Sequence, residues 1–331
     1  MNSNELESVL QAFPKAKLAI QASPLQRLVN LEQMIHVPNV FVKRDDLNGL
    51  GAGGNKVRNL EYLLGDALER DCDVVIASGQ IDSNLCMLTA AACRKLGIEC
   101  ALVHNNDAPK HLKGNMILND ILGIKQIYLG EVDEAFRSQQ VDKVKQDYQS
   151  SGRRPYVIYN GASTPLGSLG YVDGALELFH QITNDNLHIT DIFVPGGNGG
   201  LAAGMIFGAG VLDLPFHVHV VSVEHAKEKL HDELVELISG MEELTNITVN
   251  YPLHEIMTIY EEYRGEGWNR PTAEADQMIY ELARLEGIFL EKTYTSKAFL
   301  GMKDLLATGK VRSVGACFLH SGGFSSLFSQ Y

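Results

Sequence analysis

The chain has 331 residues, 45% hydrophobic and 21% charged, a globular composition long enough for one large domain or two medium ones. Its 28 Lys and Arg against 41 Asp and Glu leave a formal charge of −13, which excludes a broad surface for nucleic acid or anionic membrane. No stretch reaches transmembrane length, the acidic start with Glu5 and Glu7 is unlike a secretory leader, and the cysteines (Cys72, Cys86, Cys93, Cys100, Cys317) form no C-x-x-C pair. A cytoplasmic protein with reduced thiols and no metal site is expected.

The first glycine cluster, "GLGAGGNKVRN" at 49–59, sets Gly49, Gly51 and Gly54 at G-x-G-x-x-G spacing. A dinucleotide fingerprint needs an apolar strand running straight into its first glycine, and here Lys43, Arg44, Asp45 and Asp46 intervene. The glycines instead let chain and ligand approach Lys56, which opens an amphipathic helix. A helix N-terminus and nearby Arg58 disfavour an ammonium there, so part of Lys56 would be free amine. Taken alone, a solvated surface lysine is the simpler reading.

From residue 60 onward, apolar strand-like runs alternate with amphipathic helical ones. "DVVIASG", "IECALVH", "KQIYLG" and "RPYVIYNG" read as strands between helices, and "DIFVPGG", "FHVHVVSVEH", "IFLEKTY" and "VGACFLHSGG" continue the series. The expected fold class is α/β: two open, twisted, mostly parallel sheets with helices on both faces. In the second series, "IFVPGGNGGLAAGM" is a strand, a loop with Gly196, Gly197, Gly199 and Gly200, and a helix. Its backbone N–H groups and helix dipole form an anion cradle without a basic side chain. A reactive lysine and a separate phosphate loop together describe a pyridoxal 5′-phosphate site.

Ser83 and Asn84 in "SGQIDSNLC" stand at a strand-to-helix turn, suited to a substrate carboxylate as well as to helix capping. "FLEKTYTSKAF" puts Tyr294 and Thr295 at the end of an expected strand, facing whatever lies beyond the sheet. His320, in "CFLHSGG", reads equally well as structural or functional.

These segments, with "SPLQRL", "VKRDDL", "GGNKVRNLEYLL", "STPLGSLGYVDGALEL" and "LEGIFLEKTYTSKA", occur in the order and spacing of a known group. The chain resembles the tryptophan-synthase-β-like (fold type II) pyridoxal-phosphate enzymes, and within them the D-cysteine desulfhydrases and 1-aminocyclopropane-1-carboxylate deaminases. The resemblance implies a homodimer with a large domain from 1–56 and 166–331 and a small domain from 57–165. It implies that Lys56 links to the cofactor aldehyde and Asn84 contacts the ring hydroxyl. Gly197, Asn198, Gly199 and Gly200 would hold the phosphate, and Thr295 would meet the pyridine nitrogen. Ser83 would engage the substrate, and Tyr294 would act near the leaving group.

The resemblance also implies a lyase. Cyclopropane-opening relatives resemble one another in having Glu where Thr295 stands, so α,β-elimination of D-cysteine to pyruvate, ammonia and sulfide is the expected reaction. The alternatives are deamination of 1-aminocyclopropane-1-carboxylate or of another D- or β-substituted amino acid, racemisation with Lys56 and Ser83 on opposite faces, and a cofactor-binding protein without turnover. Departures from the group's pattern bear on these choices. Asn59 and Leu201 replace a basic residue and a threonine near the phosphate. Asp82, Leu85 and Trp268 stand where the substrate binds, and Asp82 would repel a plain acid or attract an amino group.

Overall fold

The computed structural model describes residues 1–20 and 22–331. After helix α1 (Ser3–Gln11), the chain enters the larger of two sheets through β1 (Leu25–Arg27), α2 (Val29–Ile35) and β2 (Val40–Lys43). Helix α3 (Lys56–Glu69) then leads away into β3 (Val74–Gly79), α4 (Asn84–Leu96), β4 (Glu99–His104), α5 (Asn115–Ile121), β5 (Lys125–Tyr128), α6 (Glu134–Ser150) and β6 (Pro155–Val157). These four strands form a wholly parallel sheet in the order β5-β4-β3-β6.

Helix α7 (Pro165–Asn184) returns to the first sheet, which continues with β7 (Asp191–Gly196), α8 (Gly200–Val211), β8 (His217–Ser222), α9 (Lys227–Thr245), α10 (Leu253–Ile256) and β9 (Met257–Tyr260). Helices α11 (Ala273–Glu286) and α12 (Thr295–Ala307), strand β10 (Ala316–Leu319) and helix α13 (Leu327–Gln330) complete the chain. Its strand order is β1-β2-β10-β7-β8-β9, with only β1 antiparallel to its neighbour.

Both sheets are buried on both faces, because successive strand residues point to opposite sides. In β7, Ile192 and Val194 join one core with α7, α8 and α9, while Phe193 joins another with α2, α11 and α12. In β3, Val75 and Ala77 face α3 and α4, whereas Val74 and Ile76 face α6. The α/β class with helices on both faces is what the alternation predicts. Among the described residues no helix is long and apolar enough to cross a membrane.

Two local expectations differ from the structure. "IFLEKTY" forms no strand; residues 288–294 lie outside both sheets. The Glu291 carboxylate accepts N–H bonds from Thr293, Tyr294 and Thr295, each at 2.7 Å, which turns the chain into the start of α12 instead of extending it along a ladder. Conversely, residues 257–260, which the expected strand series omits, form β9, a four-residue edge strand whose Met257 and Ile259 point inward.

A buried ionic cluster ties β2, α3 and α7 together. Asp45 accepts from Arg58 through both oxygens, at 2.8 and 2.9 Å, and also from Ser23 Oγ at 2.6 Å and the Tyr171 hydroxyl at 2.7 Å. Arg58 reaches Glu177 at 2.9 Å, and Glu177 pairs with Lys43, which also donates to Ser23 O and Gln181 Oε1 at 2.7 Å each. Burial alone would raise the Asp45 carboxyl, but the Arg58 guanidinium overrides it and holds the group well below the usual carboxylate range. Arg58→Met leaves Asp45 buried without its countercharge. We expect it to lower the unfolding free energy by about 3–5 kcal/mol in urea titration, and a loss within error of zero would show that the cluster is not a structural joint.

Candidate active site

A single cavity of about 680 Å³ opens where the carboxyl ends of β3, β7, β8 and β10 converge. Lys56, Asp82, Ser83, Asn84, Gly197, Asn198, Gly199, Gly200, Trp268 and Tyr294 all line it, although they come from widely separated parts of the chain. Leu85 and Leu201 line it too, while Asn59 and Thr295 do not.

Lys56 is the first residue of α3. Before it, Gly54 adopts φ +129° and bridges to Gly322, where a Cβ on Gly322 would stand 2.5 Å from Gly54 Cα. Only glycine at both positions lets the two segments touch and lets Asn55 N–H bond to Ser321 O at 2.9 Å. Lys56 Nζ donates to Gly161 O at 2.6 Å. Burial lowers its ammonium from the ordinary 10.5 to about 8, with the nearby Glu224 carboxylate opposing the shift. The free amine is therefore accessible near neutral pH.

Across the cavity, Gly199 is the N-cap of α8 at φ +78°, so the N–H groups of its first turn have no intrahelical partner. A Cβ on Gly200 would stand 2.8 Å from Ser163 Oγ and 2.9 Å from Ser163 Cα, so a side chain there would fill the cradle. The donor set is backbone plus the Asn198 amide, which suits a phosphate group. The cavity also offers a donor for the cofactor ring. Asn84 Oδ1 is occupied by Asn115 Nδ2 at 2.7 Å and Ser326 Oγ at 2.8 Å, which leaves its Nδ2 to donate to a ring hydroxyl. Ser83 caps α4, accepting from Cys86 N at 3.3 Å, and keeps its own proton to donate. The residues present thus fit pyridoxal phosphate.

Three expectations change on geometry, and His320, left open by the sequence, has a definite place. Thr295 is not on the cavity wall: it is fully buried, accepts from Glu291 N–H at 2.8 Å, and its hydroxyl lies 3.2 Å from Glu291 Oε1. Glu291 is the residue of that stretch that reaches the cavity, yet its oxygens are occupied by the three N–H groups that open α12. Both oxygens of Asp82 are occupied. Its Oδ1 accepts Asn115 N–H at 2.8 Å and its Oδ2 accepts the Ser329 hydroxyl, so it joins α4, α5 and α13. Asn59 is buried against α7, donating to Gly167 O at 2.9 Å. His320 is structural: Nδ1 accepts Gly322 N–H at 3.2 Å, and Nε2 therefore donates to Phe289 O at 2.8 Å.

The Tyr294 hydroxyl accepts from Trp268 Nε1 at 2.5 Å. Burial raises the phenol well above its ordinary value, so it stays protonated at neutral pH and its O–H points elsewhere. Glu224, just beyond β8, is a lining residue that sequence reasoning misses. Its place at the carboxyl end of a strand next to the phosphate loop is a signal that could have found it. Ser326 and Ser329, also missed, come from the chain's far end, and no local pattern marks them. In the cofactor-free protein, acylation of Lys56 followed by mass spectrometry against pH should show a midpoint near 8. A midpoint like those of exposed lysines would refute the burial argument.

Comparison with known proteins agrees with this geometry. The family model described as pyridoxal-phosphate dependent enzyme matches residues 16–322. A Pyrococcus abyssi protein, provisionally named 1-aminocyclopropane-1-carboxylate deaminase, is 34% identical over 98% of this chain and 96% of its own length. The D-cysteine desulfhydrase of Yersinia pestis (strain Pestoides F) is 31% identical, over 98% of each chain. The crystal structure of an ACC deaminase homologue, 34% identical, superposes with a TM-score of 0.90 over 98% of this chain and 96% of that one. The chain belongs to the pyridoxal-phosphate-dependent enzymes and shares the tryptophan-synthase-β-like fold (fold type II) of its lyase relatives.

Proposed function

We propose that the protein catalyses α,β-elimination of D-cysteine, releasing pyruvate, ammonia and sulfide. The observation that carries this reading is the Trp268–Tyr294 hydrogen bond, which makes a neutral phenol in the cavity an O–H donor to a departing sulfur. Bound pyridoxal phosphate supplies an electrophilic carbonyl for the substrate amine and a sink for electrons released at Cα. Gly197, Asn198, Gly199 and Gly200 would hold its phosphate, and Asn84 Nδ2 would donate to its ring hydroxyl. Ser83 Oγ and the free N–H groups of Asn84 and Leu85 receive the substrate carboxylate. Lys56 Nζ removes the Cα proton, and the Tyr294 phenol protonates sulfur.

With Thr295 turned away and Glu291 occupied, that stretch offers no free carboxylate to the pyridine nitrogen. A weaker sink suits a good leaving group. The similarity to a protein named for 1-aminocyclopropane-1-carboxylate makes that compound the second substrate to assay.

The two sheets support a small unit at 57–165 within a large one from 1–56 and 166–331, with the cleft between them. An exposed aromatic run of Phe289, Phe324 and Phe328 supports a homodimer, and five free cysteines support a cytoplasmic setting. Holoenzyme should release pyruvate and sulfide from D-cysteine, whereas racemisation would cost optical rotation without keto acid. Tyr294→Phe should lower kcat by about 10²- to 10⁴-fold with little change in KM. Wild-type protein that forms no keto acid from D-cysteine would overturn the reading.

A further inference from the structure

Four carboxylates line the cavity: Asp82, Glu134, Glu224 and Glu291. Three are engaged, Asp82 by Asn115 and Ser329, Glu291 by the start of α12, and Glu134 by Arg137 at 3.0 Å. Glu224 alone has no hydrogen-bond donor among the described residues; His225 Nε2 stands 3.8 Å from its Oε1. It shares the cavity wall with both groups that must exchange protons. A Cβ on Gly197 would stand 3.7 Å from Glu224 Oε2 and 3.3 Å from Tyr294 Cε1, so the carboxylate and the phenol ring flank one backbone point. The Glu224 carboxylate opposes the lowering of the Lys56 ammonium by burial, and together with Glu291 it adds to the raising of the Tyr294 phenol. Its own surroundings are mixed: His225, Lys229 and Glu233 around the start of α9, and Glu134 from α6.

We propose that Glu224 carries protons between Lys56 and Tyr294. This rests on the elimination reading and completes its balance. The C–H bond breaks with its proton passing to Lys56 Nζ. The C–S bond breaks with its electron pair leaving on sulfur, and sulfur takes the Tyr294 proton. The Glu224 carboxylate takes the proton from the Lys56 ammonium and passes it to the Tyr294 oxygen, which restores all three groups. No net proton is consumed and no further reactant is needed.

The test compares Glu224→Gln and Glu224→Asp with wild type on two substrates. D-cysteine releases sulfur whose departure proton donation assists; β-chloro-D-alanine releases chloride, which takes up no proton. Glu224→Gln should lose at least tenfold in kcat with D-cysteine and less than about threefold with β-chloro-D-alanine, with Glu224→Asp recovering part of the difference. Equal losses on both substrates, or none on D-cysteine, would overturn the inference. A second measurement uses cofactor-free protein. Glu224 holds the Lys56 ammonium up, so its removal should move the Lys56 acylation midpoint below that of wild type and quicken acylation at pH 7 two- to fivefold. An unmoved midpoint overturns the inference even if wild-type protein fails to turn over D-cysteine, an outcome that by itself defeats only the elimination reading.

Discussion

The buried pair of Asp45 and Arg58 is the constraint on which the site depends. Arg58 lies in the first turn of α3, two residues after Lys56, and Asp45 sits just past β2, so the pair pins the helix carrying the amine to the large sheet. Tyr171 and Glu177 extend the hold to α7, the helix that brings the chain back from the smaller sheet. An ion pair this deep stabilises only if its remaining lone pairs and protons are satisfied. Here Ser23, Tyr171, Glu177 and Lys43 do that, and the result is a fixed start for α3 rather than a frayed one.

A fixed helix start matters because the lysine itself must be movable. Lys56 is held through its backbone, by Gly54 against Gly322 and by Asn55 against Ser321, while its amine makes one hydrogen bond, to Gly161 O. Burial supplies the lowered basicity, so no neighbouring cation has to be placed where a negatively charged substrate would bind. Tyr294 is built on the opposite plan. Besides its backbone bond to Glu291, its hydroxyl is fixed by Trp268, and burial keeps it protonated.

The α/β class was legible because both sheets are buried on both faces, and buried parallel strands such as Val74–Gly79 leave continuous apolar runs between amphipathic helices. Lys56, Ser83, Asn84 and the loop around Gly197 were legible for a related reason: each sits at a strand-to-helix junction or a helix start. Thr295 and Asp82 were misjudged because side-chain direction is set by partners remote in sequence or one helical turn away, Glu291 for the first and Asn115 and Ser329 for the second. The edge strand β9 was missed because four residues carry too little periodicity to stand out.

The two departures near the phosphate loop have different meanings in three dimensions. Asn59 lies off the cavity wall, buried against α7, with Oδ1 unpartnered and Nδ2 on Gly167 O, so it contributes no charge to the loop. Leu201 is on the wall but offers only its backbone N–H. Beyond the Asn198 amide, phosphate affinity must then come from main-chain donors at the start of α8, whose aim depends on backbone path. That shifts the vulnerable positions from charged residues to Gly199, which needs φ +78°, and Gly200, which has Ser163 at 2.8 Å. In an acidic protein whose cavity already holds four carboxylates, a cradle of this kind binds an anion without adding a cation that those carboxylates would capture.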